Sequence, residues 1–251
     1  GGVVAIKVVR DVQRYRDSAV VEAQLLRSIN AVGGRGVSRC VKYFGEVEVD
    51  GHFGIVMECL GVSLYDLLKR NGMRGFRMDF CWDVAKCVLD GVDFLHTTMN
   101  LVHTDIKLEN ILLTDLECDG NMPSSYGVKL CDFGGATYDN ERKGRVVNTR
   151  QYRAPEVILD LGWSTPSDIW SVGCVLAEVS SGELLFATHG NTEHLAIVER
   201  RVGPFPRHMV DRSPLRRNFT QSGAVDLQRL SRKERRYVEG RGRLEEEFVG
   251  E

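Results

Sequence analysis

No apolar run in the 251 residues approaches the roughly 18 that a membrane-spanning helix needs. The opening stretch, GGVVAIKVVR, lacks the basic flank, apolar segment and small-residue cleavage site of a signal peptide. The seven cysteines (40, 59, 81, 87, 118, 131 and 174) are odd in number and include no C-x-x-C pair. That excludes a complete disulfide framework and a zinc ribbon, so they read as small buried hydrophobes in a reducing nuclear or cytoplasmic setting. Positive charge is not concentrated: 33 Lys+Arg stand against 35 Asp+Glu, for a net charge of −2. Nucleic acid is therefore not expected as a direct ligand, because phosphate binding needs a basic face. No internal repeat is visible, and 43% hydrophobic with 27% charged residues excludes disorder and collagen-like chains.

What is present is a change of pattern along the chain. VVAIKVV at 3–9 is β-branched and apolar, as a buried strand requires, and 14–29 carries Val21, Leu25, Leu26 and Ile29 at helical spacing. VKYFGEVEV and HFGIVMEC then form two strand-like runs joined at Asp50-Gly51, a dipeptide that tolerates the positive φ of a tight hairpin. From 64 onward helices dominate: 79–98 spaces Phe80, Val84, Cys87, Val88, Phe94 and Leu95 helically, and 167–180 does so with Ile169, Val172, Leu176 and Val179. Short strands are predicted at 101–103, 111–113 and 128–131, and a turn-rich surface loop at 114–127. Residues 207–251 hold 11 Lys+Arg against 8 Asp+Glu with fading periodicity, which predicts a poorly packed or disordered tail.

Chemistry is concentrated in four places. Lys7 ends an apolar strand, where its ammonium either reaches solvent or turns into a cleft to meet a phosphate. Glu22, amid apolar neighbours on the next helix, is either its ion-pair partner or a solvated helix glutamate. In HTDIKLEN, Asp105, Lys107 and Asn110 follow the D-x-K-x-x-N spacing of protein-kinase catalytic loops. There a carboxylate accepts a hydroxyl proton, a lysine neutralises a transferred phosphoryl group, and an amide oxygen holds magnesium without adding charge. Asp132-Phe133-Gly134 follows the strand VKLC and supplies a hard carboxylate for the metal. Ala154-Pro155-Glu156 closes a segment that includes Thr137, Tyr138, Thr149 and Tyr152.

In this order the motifs resemble the protein kinase family across about residues 1–206. HTD, NTRQYRAPEVILDLGWSTPSDIWSVGC and, above all, EHLAIVER at 193–200, six of whose eight positions match EHLAMMER, are similar to the LAMMER or CDC-like kinases. RDVQRYRDSAVVEAQLL and GHFGIVMECLG point the same way. The resemblance implies an α+β, two-lobed fold, with an incomplete β-rich small lobe at 1–60, a mostly helical large lobe at 61–206 and a charged tail at 207–251. It also implies ATP and Mg2+ as cofactors, with Lys7 and Glu22 at the α/β-phosphates. Met57 falls at the gatekeeper position, and Glu58, Cys59 and Leu60 in the adenine-binding hinge. Asp105 is implied as base, Lys107 as phosphoryl stabiliser, Asn110 and Asp132 as metal ligands, and Asp168 as the anchor of the catalytic loop. The implied activity is Ser/Thr phosphorylation with Tyr autophosphorylation, on Arg/Ser-rich splicing factors. A glycine-rich loop two strands before Lys7 is not in the sequence, nor are the family's final helices with the arginine that pairs with Glu156; Leu108 replaces the usual proline and Thr104 the usual arginine. The chain itself is therefore expected to bind Mg-ATP weakly or not at all and to be only marginally folded, and a pseudokinase or truncated binding module is the competing reading.

Overall fold

The computed structural model describes residues 2–34, 36–115, 127–141 and 146–248, without the side chains of 247 and 248. Most of the predicted loop at 114–127, and Cys118 with it, lies outside the described residues. The elements run β1 (Val4–Val8), α1 (Gln13–Ala31), β2 (Tyr43–Val49), β3 (His52–Glu58), α2 (Leu64–Arg70), α3 (Met78–Asp93), β4 (Leu101–Val102), β5 (Ile111–Leu113), β6 (Val128–Leu130), β7 (Thr137–Tyr138), α4 (Pro155–Ile158), α5 (Pro166–Ser181), α6 (Asn191–Arg201), α7 (Arg207–Arg212), α8 (Arg232–Glu239) and α9 (Leu244–Phe248). The result is an α+β architecture with a small strand-rich lobe and a larger helical one.

In the small lobe an antiparallel sheet has the order β1-β3-β2. Asp50 (φ 49°) and Gly51 (φ 81°) both take left-handed backbone at the β2–β3 turn, the twist that a two-residue hairpin needs. Lys7 pairs with Ile55 and Ala5 with Met57, so all four side chains share one face. Helix α1 packs on this sheet through Ala19, Glu22, Ala23, Leu25, Leu26 and Ile29. Val21, expected on that stripe, is instead 55% exposed, and Glu22 takes the buried position.

The large lobe is built on α3 and α5. Helix α3 buries Phe80, Val84, Val88 and Val92 one turn apart and runs on into a π turn at Phe94–Thr98. In α5 the buried stripe is Asp168, Ser171, Val172, Val175, Glu178 and Val179, while Ile169, predicted inward, is 48% exposed. Polar residues thus occupy the buried side of a core helix, an arrangement tolerated only where each finds hydrogen bonds.

The described residues beyond 206 do not form a poorly packed tail. Val210, Phe219, Val225, Leu230 and Val238 join the main core, and Ser231 with Glu234 forms a reciprocal capping box that starts α8. Short helices and turns bury one apolar residue at a time, so no sustained period marks them in sequence.

Candidate active site

Asp168, fully buried at the start of α5, organises the centre of the site. Its carboxylate accepts the backbone N–H groups of His103 at 2.7 Å and Thr104 at 2.9 Å, and contacts His96 Nε2 at 2.9 Å. This grip holds Thr104 at φ 69°, a left-handed conformation that a β-branched residue adopts only under constraint. The Thr104 hydroxyl donates to the Gly135 carbonyl at 2.8 Å, joining the 103–110 loop to the segment after Asp132. His103 reaches the Cys131 carbonyl at 3.1 Å and packs against the fully buried Phe133 ring, 5.0 Å between centroids.

From this base Asp105, Lys107 and Asn110 converge. Lys107 Nζ lies 2.6 Å from Asp105 Oδ2, and the Asn110 amide donates to the Asp105 carbonyl at 2.8 Å. Thr149 donates to Asp105 Oδ1 through both its hydroxyl, at 2.7 Å, and its backbone N–H, at 3.1 Å. Burial of Asp105 would raise its pKa; the Lys107 and Thr149 hydrogen bonds outweigh it and hold the carboxyl below the usual range.

A second group spans the lobes. Lys7 Nζ is 2.8 Å from both Glu22 oxygens and 2.8 Å from Asp132 Oδ1. Partial burial opposes the ammonium charge, but Asp132 and Glu22 together raise its pKa. For Asp132 too, burial is outweighed by Lys7, and the carboxyl is held low. Glu22 is more buried, and desolvation pushes its pKa up despite the lysine. At neutral pH the cleft therefore holds an ionised Asp132 beside an ammonium.

The donor set fits a hard divalent cation. Asn110 commits its amide nitrogen to Asp105, which leaves its oxygen as a donor, and Asp132 adds an anionic oxygen. Among the described residues no group of three or more His, Cys, Asp or Glu could hold a metal, so phosphate and water oxygens would complete the shell.

Met57, on the same face as Lys7, ends β3 with Glu58, and Leu60 packs partly buried against the core just beyond. Glu58 directs its side chain to Lys129 and to the Lys42 backbone, away from the Lys7 group. Spacing does not reveal the contacts of three residues that shape the site: Thr149 with Asp105, Thr104 with Gly135, and Lys129 with Glu58. Thr149 and Thr104 lie within the motifs, but only the folded loop brings their hydroxyls to Asp105 and Gly135.

Beside Thr149 a cavity of about 420 Å³ is lined by Glu109, Glu178 and Glu183 with Tyr65, Tyr152 and Arg241. Glu178 is buried and accepts the Tyr152 hydroxyl at 2.6 Å; burial and the nearby Glu109 charge push its carboxyl up against that hydrogen bond. Arg241 lies 3.6 Å from Glu183, and no ion pair to Glu109 or Glu178 is found among the described residues. A larger apolar cavity of about 970 Å³ opens between α3 and α5, away from these groups. Glu156 lines it, with its pKa raised by burial and without an ion pair among the described residues.

The protein kinase domain family matches residues 1–230. The chain is 44% identical over 234 residues to the serine/threonine-protein kinase AFC1 of Arabidopsis thaliana, covering 85% of this chain and 49% of the relative. It is 42% identical over 226 residues to the dual specificity protein kinase CLK1 of Homo sapiens, covering 86% and 46%. The chain thus spans about half the length of the curated relatives it matches. A crystal structure of a kinase domain superposes with a TM-score of 0.91 at 36% identity, covering 99% of this chain and 79% of that one.

Proposed function

The chain belongs to the protein kinase family, with AFC and CLK kinases among its most similar relatives, and on that premise we propose that the protein transfers the γ-phosphate of ATP to Ser and Thr, with Tyr autophosphorylation, on Arg/Ser-rich splicing factors. The observation that carries this reading is the pairing of two preorganised groups, Lys7–Glu22–Asp132 and Asp105–Lys107–Asn110, across one cleft.

Each residue has a task its geometry suits. Asp105, kept ionised by Lys107 and Thr149, orients the acceptor hydroxyl and takes its proton. Lys107 stands 2.6 Å from that carboxylate, where its charge stabilises the phosphoryl group in transit. Lys7, oriented by Glu22, grips the α/β-phosphates. Asn110 and Asp132 would hold Mg2+, which when bound neutralises charge on the phosphates.

The acidic cavity supports arginine-rich substrates. Glu109 and Glu178 repel each other beside Thr149, and an entering guanidinium would relieve that repulsion while making bidentate bonds. The six described cysteines are thiols and not disulfides, in keeping with a nuclear or cytoplasmic location. Protein substrates, rather than nucleic acid or a membrane, are the proposed partners.

The test is phosphotransfer by the full-length protein to an Arg/Ser repeat peptide and to a copy with each Arg replaced by Ala. Asp105→Asn should lower the rate at least ~100-fold, and Glu109→Gln should narrow the preference for the arginine peptide. Undiminished activity of Asp105→Asn would sink the catalytic assignment; equal rates on both peptides would sink the substrate class.

A further inference from the structure

Glu58 closes β3, and its side chain meets Lys129 with Nζ–Oε1 at 2.5 Å, the two side chains only 21% and 16% exposed. The same oxygen accepts the Lys42 N–H at 2.6 Å, and the Glu58 N–H donates back to the Lys42 carbonyl at 2.9 Å. Lys129 sits in β6, three residues before Asp132. One carboxylate therefore joins the end of β3, the entry to β2 and the strand that delivers Asp132.

Just beyond, Gly61 N–H donates to the Leu113 carbonyl at 2.8 Å and Leu113 N–H to the Val62 carbonyl at 3.0 Å, while β5 pairs with β6. The connector 59–62 is thus fastened to the β5–β6 pair at both ends, by backbone bonds at 61–62 and by the ion pair at 58. Without Lys129 one fastening is lost. Packed hydrophobes can hold a fold as well as a buried ion pair; what the pair adds is a defined position and direction.

We propose that Lys129 is a positioning residue for the nucleotide: acting through Glu58, it fixes the 58–60 backbone, which receives the base, relative to Asp132 at the phosphate end. The inference rests on the kinase reading of this cleft. A nucleotide is a single ligand gripped at two ends, so a shift of one grip relative to the other weakens binding even when both sets of contacts survive. Because Lys129 touches neither end, its effect falls on nucleotide affinity and not on the acceptor side of the site.

The experiment compares Lys129→Met, Lys129→Arg and Glu58→Gln in the full-length protein. It reads the affinity for a fluorescent ADP analogue, the KM for ATP, kcat, the KM for the Arg/Ser peptide and the thermal midpoint. Lys129→Met should weaken nucleotide binding about fivefold or more and raise the KM for ATP in step, with kcat and peptide KM within about twofold. Lys129→Arg should recover affinity to within about twofold of the unsubstituted protein. Glu58→Gln keeps the acceptor for Lys42 but loses the ion pair, and carries the measurement if Lys129→Met does not fold.

Unchanged nucleotide affinity in Glu58→Gln and in any folded Lys129→Met protein, a parallel rise in peptide KM, or no recovery with Arg would each overturn the proposal. An unsubstituted protein that binds nucleotide yet transfers no phosphate would refute the kinase reading while the affinity ratios still test Lys129; one that binds no nucleotide would overturn both.

Discussion

The Thr149 hydroxyl donates to Asp105 Oδ1 at 2.7 Å while Lys107 holds the other oxygen of the same carboxylate at 2.6 Å, and Lys107 is itself 3.2 Å from the Thr149 hydroxyl. The three groups form a closed triangle, so the orientation of the proposed base depends on a residue 44 positions away in the chain. Thr149→Ala should lower kcat roughly 10-fold or more, the scale of a hydrogen bond to a charged group at ~1.5–3 kcal/mol, while Thr149→Ser keeps the bond and most of the rate. Steady-state kinetics on both variants checks this; equal losses would mean that the methyl group, not the hydroxyl, is what the site needs.

Lys7 faces two carboxylates at 2.8 Å, and its removal leaves Glu22, buried beside the cleft, without a cation. Lys7→Met should reduce phosphotransfer at least ~100-fold, with the loss falling on both kcat and the KM for ATP. Glu22→Gln should be milder, because Asp132 still directs the lysine. A Glu22→Gln rate below that of Lys7→Met would reverse the assigned hierarchy.

His194 is fully buried, and neither ring nitrogen has a hydrogen-bond partner among the described residues. Burial, reinforced by Arg150 and Arg153, pushes its pKa down from 6.5 to about 3. The unfolded chain protonates this histidine below about pH 6.5 while the folded one does not, so protons favour the unfolded state and stability falls as pH drops from 6.5 toward 3. At pH 5 the loss from this one group is about 2 kcal/mol. His194→Leu forfeits no protein hydrogen bond and should flatten that part of the profile. Urea midpoints between pH 7.5 and 5 would show it; an unchanged slope in His194→Leu would place the pH dependence elsewhere.

The hairpin and the long helices were legible because each rests on local rules: left-handed residues at Asp50-Gly51 and 3.6-residue periodicity in α1, α3 and α5. The rotation of a helix about its axis was less so. Val21 and Ile169 fit an apolar stripe, yet Glu22 and Asp168 take the buried positions because each finds partners in another segment: Lys7, 15 residues away, and the 103–104 amides. The packing beyond 206 is hidden for a related reason, since Phe219 and Val238 are buried by contacts with the rest of the lobe and not by any period of their own. Within the site, motif spacing named Lys7, Asp105, Lys107, Asn110 and Asp132, but the bonds from Thr104, Thr149 and Lys129 cross between segments and leave no trace in spacing.

Regulation follows from what holds the segment between Asp132 and Glu156. Thr149 and Tyr152, both within that segment, are already committed: the first to Asp105, the second, 4% exposed, to Glu178 at 2.6 Å. A phosphate on Thr149 would set up to two negative charges against the Asp105 carboxylate, and one on Tyr152 would have to displace a buried hydrogen bond. Thr104, which stands where the resemblance leads one to expect arginine, provides neutral bonds in place of a phosphate-gathering charge, to Gly135 at 2.8 Å through its hydroxyl and to Asn148 at 2.9 Å through its carbonyl. The Arg153 guanidinium adds two charge-assisted bonds by donating to the Val147 and Asn148 carbonyls, and so is itself already engaged. The active arrangement is thus tied down without added charge, and the full-length protein should be active with an unphosphorylated segment. Phosphatase treatment, confirmed on the segment by mass spectrometry, should leave the rate within ~10-fold, about 1.4 kcal/mol of activation free energy. Thr104→Val, which keeps the shape but removes the hydroxyl, should lower the rate whether or not phosphatase has been applied. A loss beyond ~10-fold on phosphatase treatment would show that phosphate, and not the Thr104 bridge, supplies the ordering.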